Sequence, residues 1–473
     1  MTAFVPPYPK LPVPRSAVLR KLLKPWLFLK WILMRSRSCS LSAIPERAYS
    51  LSLARVKVPG GVALFPLEPE DIKRVLIDDY ESFPKSELMA DMLGLLIGDS
   101  IFVSNGDVWK RQRRMMTPAF EHTRVKVVFD LMMQAADAMQ GRLDPVADGR
   151  AVDIEAEMTF VTADIIFRTI FSRPLQQNEA RVIFKAFTIY QDAAFTHGLK
   201  RQINLPKWMS AQGFRKASAA AKAIRGVLDA IITERYNSFH SGEPQVHNDI
   251  LQSLVSVKDE VTGTRFDLRE LCEQVAMLFL AGHETSASAL SSALYLLSMD
   301  QEIQSRVHAE VADAVGKRAL KFQDLRKLDL TRNVFAEAMR LFPPVPFLPR
   351  QAAKQCPIRN AVAEKDSIVS ISPWLIQRHR RHWQNPDAFD PDRFDRPETK
   401  EAERQCYIPF SKGPRVCLGA SFALQEATII LSALVRRYSF DPVPGFQPDF
   451  IGRLTVRSSN GVMLKVTRRV DGA

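Results

Sequence analysis

From about residue 69 to 340, apolar positions recur every three to four residues, so this stretch predicts a run of helices. Ahead of it, Ala54–Val58 and Val62–Phe65 are β-type runs split by Pro59-Gly60-Gly61, which is a hairpin pattern. The best-marked helix has Asp267 as N-cap and Glu270 three residues on, the two ends of a capping box. Its periodicity continues to about Leu297, far beyond the mean helix of about 11 residues. Around Ala276–Ala281 this helix is apolar on most faces, so it must run through the interior.

Past residue 341 the pattern changes. Prolines stand at 343, 344, 346 and 349, and Ser367–Ile371 is a short β-type piece. Residues 383–416 are loop-rich, and a last helix is predicted from just after Cys417 to about Arg436. There is no internal repeat and no flexible linker. The expected fold class is mainly α with a smaller β-rich region. Residues 1–50 form a basic, partly hydrophobic segment, and 51–473 form a single domain.

Composition narrows the picture. The chain has 473 residues, 46% of them apolar, enough to bury a large core. Its five cysteines, Cys39, Cys272, Cys356, Cys406 and Cys417, are widely spaced and include no Cys-x-x-Cys. That argues against a disulfide framework and against a zinc site, and points to a reducing, cytoplasmic compartment. The net charge is +13, but residues 1–60 hold eleven Lys or Arg against Glu46 alone. The basic character is therefore mostly N-terminal, and no nucleic-acid partner is expected.

Within that segment, residues 25–34 read Pro-Trp-Leu-Phe-Leu-Lys-Trp-Ile-Leu-Met. The run falls short of the roughly 18–20 residues of a membrane span, and Lys30 interrupts it. Three readings stand open: peripheral membrane contact through residues 18–37, a first helix docked on the body, or an organelle transit peptide. The prolines from Pro6 to Pro14 precede this run and read as extended chain.

The chemistry concentrates in Phe410-Ser411-Lys412-Gly413-Pro414-Arg415-Val416-Cys417-Leu418-Gly419. Two glycines and a proline impose a turn, and a helix follows the cysteine. Unpaired N–H groups and the positive end of the helix dipole favour thiolate over thiol there. Arg415 adds positive charge. Gly419 lets a large planar group approach the backbone.

The central helix breaks its own rules at Ala281-Gly282-His283-Glu284-Thr285-Ser286. Glycine costs about 1 kcal/mol relative to Ala in a helix interior, and a buried acid and hydroxyl need partners. Such violations mark function. His283 reads as a hydrogen-bonded or exposed histidine, not a ligand. Farther on, Glu337 and Arg340 share a helix face at i and i+3.

The spacing Phe-x-x-Gly-x-Arg-x-Cys-x-Gly resembles the haem-binding signature of the cytochromes P450, and Ala423 and Glu426 follow where that family has them. The resemblance runs from about residue 54 to 466. It implies a P450 fold, haem b as cofactor, and Cys417 as the thiolate on its iron, with Phe410, Gly413, Arg415 and Gly419 shaping the loop. It also implies that Ala281 and Gly282 open a groove for dioxygen, and that Glu284 and Thr285 deliver protons. Gly106–Arg113 matches the family's Trp-x-x-x-Arg, so Trp109 and Arg113 would hold the propionates, with Arg350 as a further partner. Pro391-Asp392-Arg393-Phe394 implies that Arg393 joins Glu337 and Arg340 in a structural charge cluster.

The expected activity is monooxygenation of an apolar, lipid- or terpenoid-like substrate by dioxygen. Substrate contacts are expected from residues 86–100, 183–210, Leu278, Ala281, Val345–Leu348 and the turn near Phe450. About 56 residues follow Cys417, too few for a reductase domain of 100 or more. Electrons are therefore expected from an external ferredoxin- or flavodoxin-type donor with its reductase, docked with help from Lys412 and Arg415. Two alternatives are a peroxide-driven or isomerising haem-thiolate enzyme on the same fold, and a non-catalytic haem sensor.

Overall fold

The computed structural model describes residues 4–7, 41–58, 61–121, 127–202, 207–244, 246–452 and 454–469, without the side chains of 195–211. Cys39, segment 18–37 and the Pro59-Gly60 turn lie outside the described residues.

Helices build most of the molecule. In chain order they are α1 (Pro69–Lys73), α2 (Glu87–Ile97), α3 (Gly106–Met116), α4 (Phe129–Leu143), α5 (Ile154–Phe171), α6 (Gln177–Gln202) and α7 (Lys207–His240). They continue with α8 (Ile250–Ser256), α9 (Leu268–Met299), α10 (Gln301–Val315), α11 (Asp329–Leu341), α12 (Pro373–Ile376), α13 (Lys400–Cys406) and α14 (Ala420–Arg437).

The central helix is α9. The Asp267 carboxylate accepts the Glu270 N–H at 2.7 Å, and the Glu270 carboxylate accepts the Asp267 N–H at 3.2 Å, so the capping box closes. From there to Met299 nearly every side chain is buried. The helix lies along α5 and is touched by α2, α7, α11 and α14, which places it at the core.

The sheets are small. Strands β1 (Leu53–Val58) and β2 (Gly61–Pro66) form the expected antiparallel hairpin. One strand, β3 (Asp148–Asp153), interrupts the predicted helical stretch. It has no alternating apolar face and is mostly exposed, so no period-2 signal announces it. The remaining strands are β4 (Leu348–Gln351), β5 (Cys356–Ile358), β6 (Ala361–Ala363), β7 (Ile368–Ile371), β8 (Tyr438–Pro442), β9 (Phe450–Gly452), β10 (Val456–Ser458) and β11 (Met463–Arg468). β3 is extended because β11, more than 300 residues on in sequence, supplies its partner. A four-stranded sheet has the order β1-β2-β7-β4, and a three-stranded one the order β3-β11-β8.

Residues 383–416 hold short 3-10 turns and α13, whose Lys-Glu-Ala-Glu-Arg-Gln-Cys has good helix formers in a run too short for periodicity to reveal. Among the described residues no helix is long and apolar enough to cross a membrane.

Candidate functional site

A cavity of about 1640 Å³, its open mouth included, lies between α9 and the segment 409–423. Cys417 is on its wall. The Cys417 N–H donates to the Phe410 carbonyl at 2.9 Å, which closes the turn, and α14 begins at Ala420. The side chain is exposed only towards the cavity and is otherwise deep in protein. Burial pushes the Cys417 thiol up, and the Gly419 N–H and Arg113 only partly offset this. The pull of the turn and of a nearby cation towards the thiolate is present in the Gly419 N–H and Arg113, and desolvation opposes it.

One edge of the cavity is cationic. Arg113, Arg350 and Arg415 line it together with Trp109. Arg113 donates to the Val416 carbonyl at 2.7 Å, and Arg415 to the Tyr80 carbonyl at 2.7 Å. Arg415 also stacks over Tyr80 and Trp109, at 4.9 and 5.3 Å from the ring centres. The Nε atoms of Arg350 and Arg415 are buried and find no protein acceptor. Burial, with Arg415 nearby, brings the Arg350 guanidinium down to about 10.

Lys85 belongs to this edge and was not singled out in the sequence. Its ammonium donates to the carbonyls of Ile101 and Ser104, the latter at 2.9 Å, and lies 5.6 Å from the Trp109 ring centre. Burial, then Arg415, Arg350 and Arg113, hold its pKa well below the usual lysine range. A lone lysine outside any motif carries no local signal. It joins the site because an isolated bridge pairs Lys85 with Arg350 across 265 residues.

Opposite, α9 presents Ala281, Gly282, Thr285 and Ser286 to the cavity. The Thr285 hydroxyl donates to the Ala281 carbonyl at 2.7 Å, leaving its oxygen lone pairs for an incoming donor. A Cβ on Gly282 would stand 2.9 Å from Ile166 on α5, so this glycine admits a neighbouring side chain as well as lowering the helix surface. Gly413 is not on the cavity wall. Its backbone is left-handed, φ 74°, and a Cβ would meet the Leu76 carbonyl oxygen at 2.2 Å. Its need is a turn and a close approach, not a ligand.

Glu284 also lies off the cavity wall. It accepts from Thr455 at 2.7 Å, from Gln191 at 2.8 Å and from Arg457 at 3.2 Å. Burial pushes its carboxyl up, but Arg457, His283 and these hydrogen bonds outweigh it and hold the pKa below the usual range. His283 is fully buried, with Nδ1 bonded to the Phe279 carbonyl at 2.7 Å, and burial lowers its pKa. Leu278, Val345, Phe347 and Leu348 line the cavity, as does Met89 from the 86–100 segment. From 183–194, Phe184 and Phe187 face His283 instead, and Phe450 packs at 4.4 Å on Phe342 in the core.

Glu337, Arg340 and Arg393 do meet. Arg340 pairs with Glu337 through two contacts of 2.7 and 2.8 Å, and Arg393 through one of 2.9 Å. The arginines also hold carbonyls of Gln377, Gln384, Pro386 and Ala388, so the loop before Arg393 is tied to α11.

The cytochrome P450 family profile matches residues 51–466. The chain belongs to the cytochrome P450 family. Its curated relatives include cyclooctatin synthase of Streptomyces melanosporofaciens, 30% identical over 80% of this chain and 81% of that protein. Cyclooctat-9-en-7-ol 5-monooxygenase of the same organism is 29% identical over 86% of this chain and 85% of its own length. Among solved structures, the cytochrome P450DA haem domain matches with a TM-score of 0.78 over 98% of both chains at 23% identity, which shows the fold. This P450 is a monooxygenase, an oxidoreductase of the haem-thiolate class that works with dioxygen, a substrate and an external redox partner.

The cavity suits the cofactor this family carries. A soft sulfur donor on one wall, apolar sides and a rim of buried cations with unpaired N–H groups match a flat iron macrocycle bearing two carboxylates.

Proposed function

We propose that this P450 hydroxylates an apolar, lipid- or terpenoid-like substrate, with Cys417 as the axial thiolate of haem b. The observation that carries the reading is the convergence of Cys417, two arginines with unpaired Nε atoms and the Thr285 face of α9 on one cavity. When bound, the haem supplies reductive activation of dioxygen, favoured by an electron-rich thiolate. Arg113, Arg350, Arg415 and Lys85 would hold its propionates, which would give acceptors to the buried Nε atoms of Arg350 and Arg415. Thr285 holds a hydrogen bond at the oxygen side, and Glu284, ionised and clamped off the wall by Arg457, takes part only when that clamp opens.

The apolar lining supports the substrate class: Met89, Met277, Leu278, Phe347 and Leu348 offer area and no charge. The two Streptomyces relatives, one named for oxygenating an unsaturated alcohol, support it too. A donor of ferredoxin or flavodoxin type supplies electrons. Arg415 turns inward to Tyr80, so docking falls to Lys412 and its surroundings rather than to Arg415. The widely spaced cysteines support a cytoplasmic setting, with peripheral contact at a membrane surface through residues 18–37 as part of the same reading, and one domain over 51–473.

The test is a reduced, CO-bound spectrum of the wild type and of Cys417→Ala. The red-shifted Soret band of a thiolate-ligated haem is expected in the first and absent from the second. Its absence from the wild type would overturn the reading. Substrate candidates are then ranked by spin-state shift, with apolar terpenoids and fatty acids expected to outbind sugars and nucleotides.

A further inference from the structure

The loop between α2 and α3, residues 98–105, puts Ile101 and Phe102 on the cavity wall. Phe102 is also 37% exposed, so this part of the wall reaches solvent. The fold pins the loop from behind. Glu273 and Gln274 on α9 accept the Asp99 and Ile101 N–H groups, each at 3.0 Å, and Gln112 on α3 accepts the Ser104 hydroxyl at 2.6 Å.

From the cavity side Lys85 holds the same loop. Its side chain donates to the Ile101 and Ser104 carbonyls. Its backbone is tied to the loop's end as well. The Lys85 N–H donates to the Asn105 side-chain carbonyl at 2.9 Å, and the Asn105 amide donates back to the Lys85 carbonyl at 3.1 Å. Lys85 also bridges Arg350 of β4.

An ammonium has three N–H groups. Two go to the loop, and the third is left on a side chain that lines the cavity with Arg113, Arg350 and Arg415. Burial and these three arginines pull the Lys85 pKa well below the usual lysine range, so an anion is what this ammonium lacks. The arginines do not hold the loop. Arg113 donates to Val416, Arg415 to Tyr80 and Phe83, and Arg350 to Pro349.

We infer that Lys85 ties the haem edge to the substrate wall: one N–H holds a propionate while the other two fix the loop that carries Ile101 and Phe102. This rests on the cavity being the haem site, and goes beyond the propionate contact proposed above. The anion secures the charged form of Lys85, and both loop contacts then become charge-assisted and stronger. Loading the cofactor thereby sets the shape of the wall against which the substrate packs. Lys85 acts on the substrate through Ile101 and Phe102 and is a positioning residue.

The test is backbone hydrogen exchange across residues 99–105, measured with and without haem b. In the wild type, loading is expected to slow exchange there by about 10-fold, the low end for a charged hydrogen bond. In Lys85→Met the slowing should be absent. Arg350→Met, which loses a propionate partner and no loop contact, should keep it at saturating haem. In Lys85→Met, substrate affinity by spin-state shift should also fall about 10-fold, with kcat at saturating substrate held within about twofold. Lys85→Arg should recover part of both effects.

Equal slowing by haem b in Lys85→Met and the wild type overturns the tie and leaves the haem reading standing. So does an equal loss of substrate affinity in Arg350→Met, which makes the effect one of the whole cationic edge. No slowing in a wild type that shows the thiolate-type CO spectrum overturns the tie alone. A wild type without that spectrum overturns both. If Lys85→Met does not fold, Lys85→Gln decides by the same measurement.

Discussion

Two arginine clusters, one fully buried and one along the open cavity, do opposite things. Around Glu337, Arg340 and Arg393 spend their donors on one carboxylate and on backbone carbonyls. Burial alone would raise the Glu337 carboxyl, but the two arginines win and hold it below the usual range. Along the cavity edge, Arg350 and Arg415 keep unpaired Nε atoms, Lys85 leans on two carbonyls, and among the described residues no carboxylate forms an ion pair with them. A satisfied cluster stabilises the fold. An unsatisfied one stores a cost that a bound anion removes.

The largest way to test the contrast is to remove the group that the unsatisfied edge surrounds. Cys417→Ala is expected to abolish turnover while the haem-free protein stays folded to within about 1 kcal/mol, as judged by denaturant titration, because the side chain is small and faces the cavity.

Next comes a pair with different signs. Arg393→Met is expected to cost the haem-free protein about 3–5 kcal/mol, since it breaks a buried ion pair and takes one donor from each of three carbonyls. Arg350→Met is expected to leave that stability unchanged or to raise it, while weakening haem retention about 10- to 100-fold. Chemical unfolding and haem transfer to apomyoglobin measure the two. Equal losses of stability in both variants would erase the distinction.

The pH dependence follows the same division. The folded pKa of Glu337 lies below its ordinary 4.5, so its contribution is complete above that value and is lost as pH falls through the lower folded pKa. Arg350 is a depressed cation, about 10 against 12.5, so its charge costs stability below pH 10 and the cost is relieved between these values. The stability gap between wild type and Arg393→Met should therefore narrow as pH falls below about 4.5, leaving the part owed to the carbonyl contacts.

A smaller effect is expected at Gly282. Gly282→Ala pushes a Cβ against Ile166 and should cost about 1–3 kcal/mol by overpacking, with a further loss of coupling from the crowded oxygen side. Ile166→Val in the same chain should restore part of the stability.

Legibility in the sequence tracked how local each interaction is. The Asp267–Glu270 capping box, the hairpin at 53–66 and the turn before Cys417 depend on neighbours a few residues apart, and their spacing was enough. The Glu337–Arg340 contact was visible as an i,i+3 pair. Strand β3 was not, because its partner is β11. The place of Lys85 at the cationic edge was not, because Arg113, Arg350 and Arg415 come from three other segments. Nor was the outward turn of Glu284, which β10 and α6 impose through Arg457 and Gln191.

By itself, then, the sequence determined the long buried helix, the cysteine turn and the family signature, because periodicity and turn chemistry act within a few residues. Tertiary structure alone decided which charges are spent and which are left over: Glu337 closed by arginines, Glu284 clamped off the wall, and the cavity edge left short of anions. Electrostatic balance is set by distance and desolvation in three dimensions, and residues far apart in the chain set both.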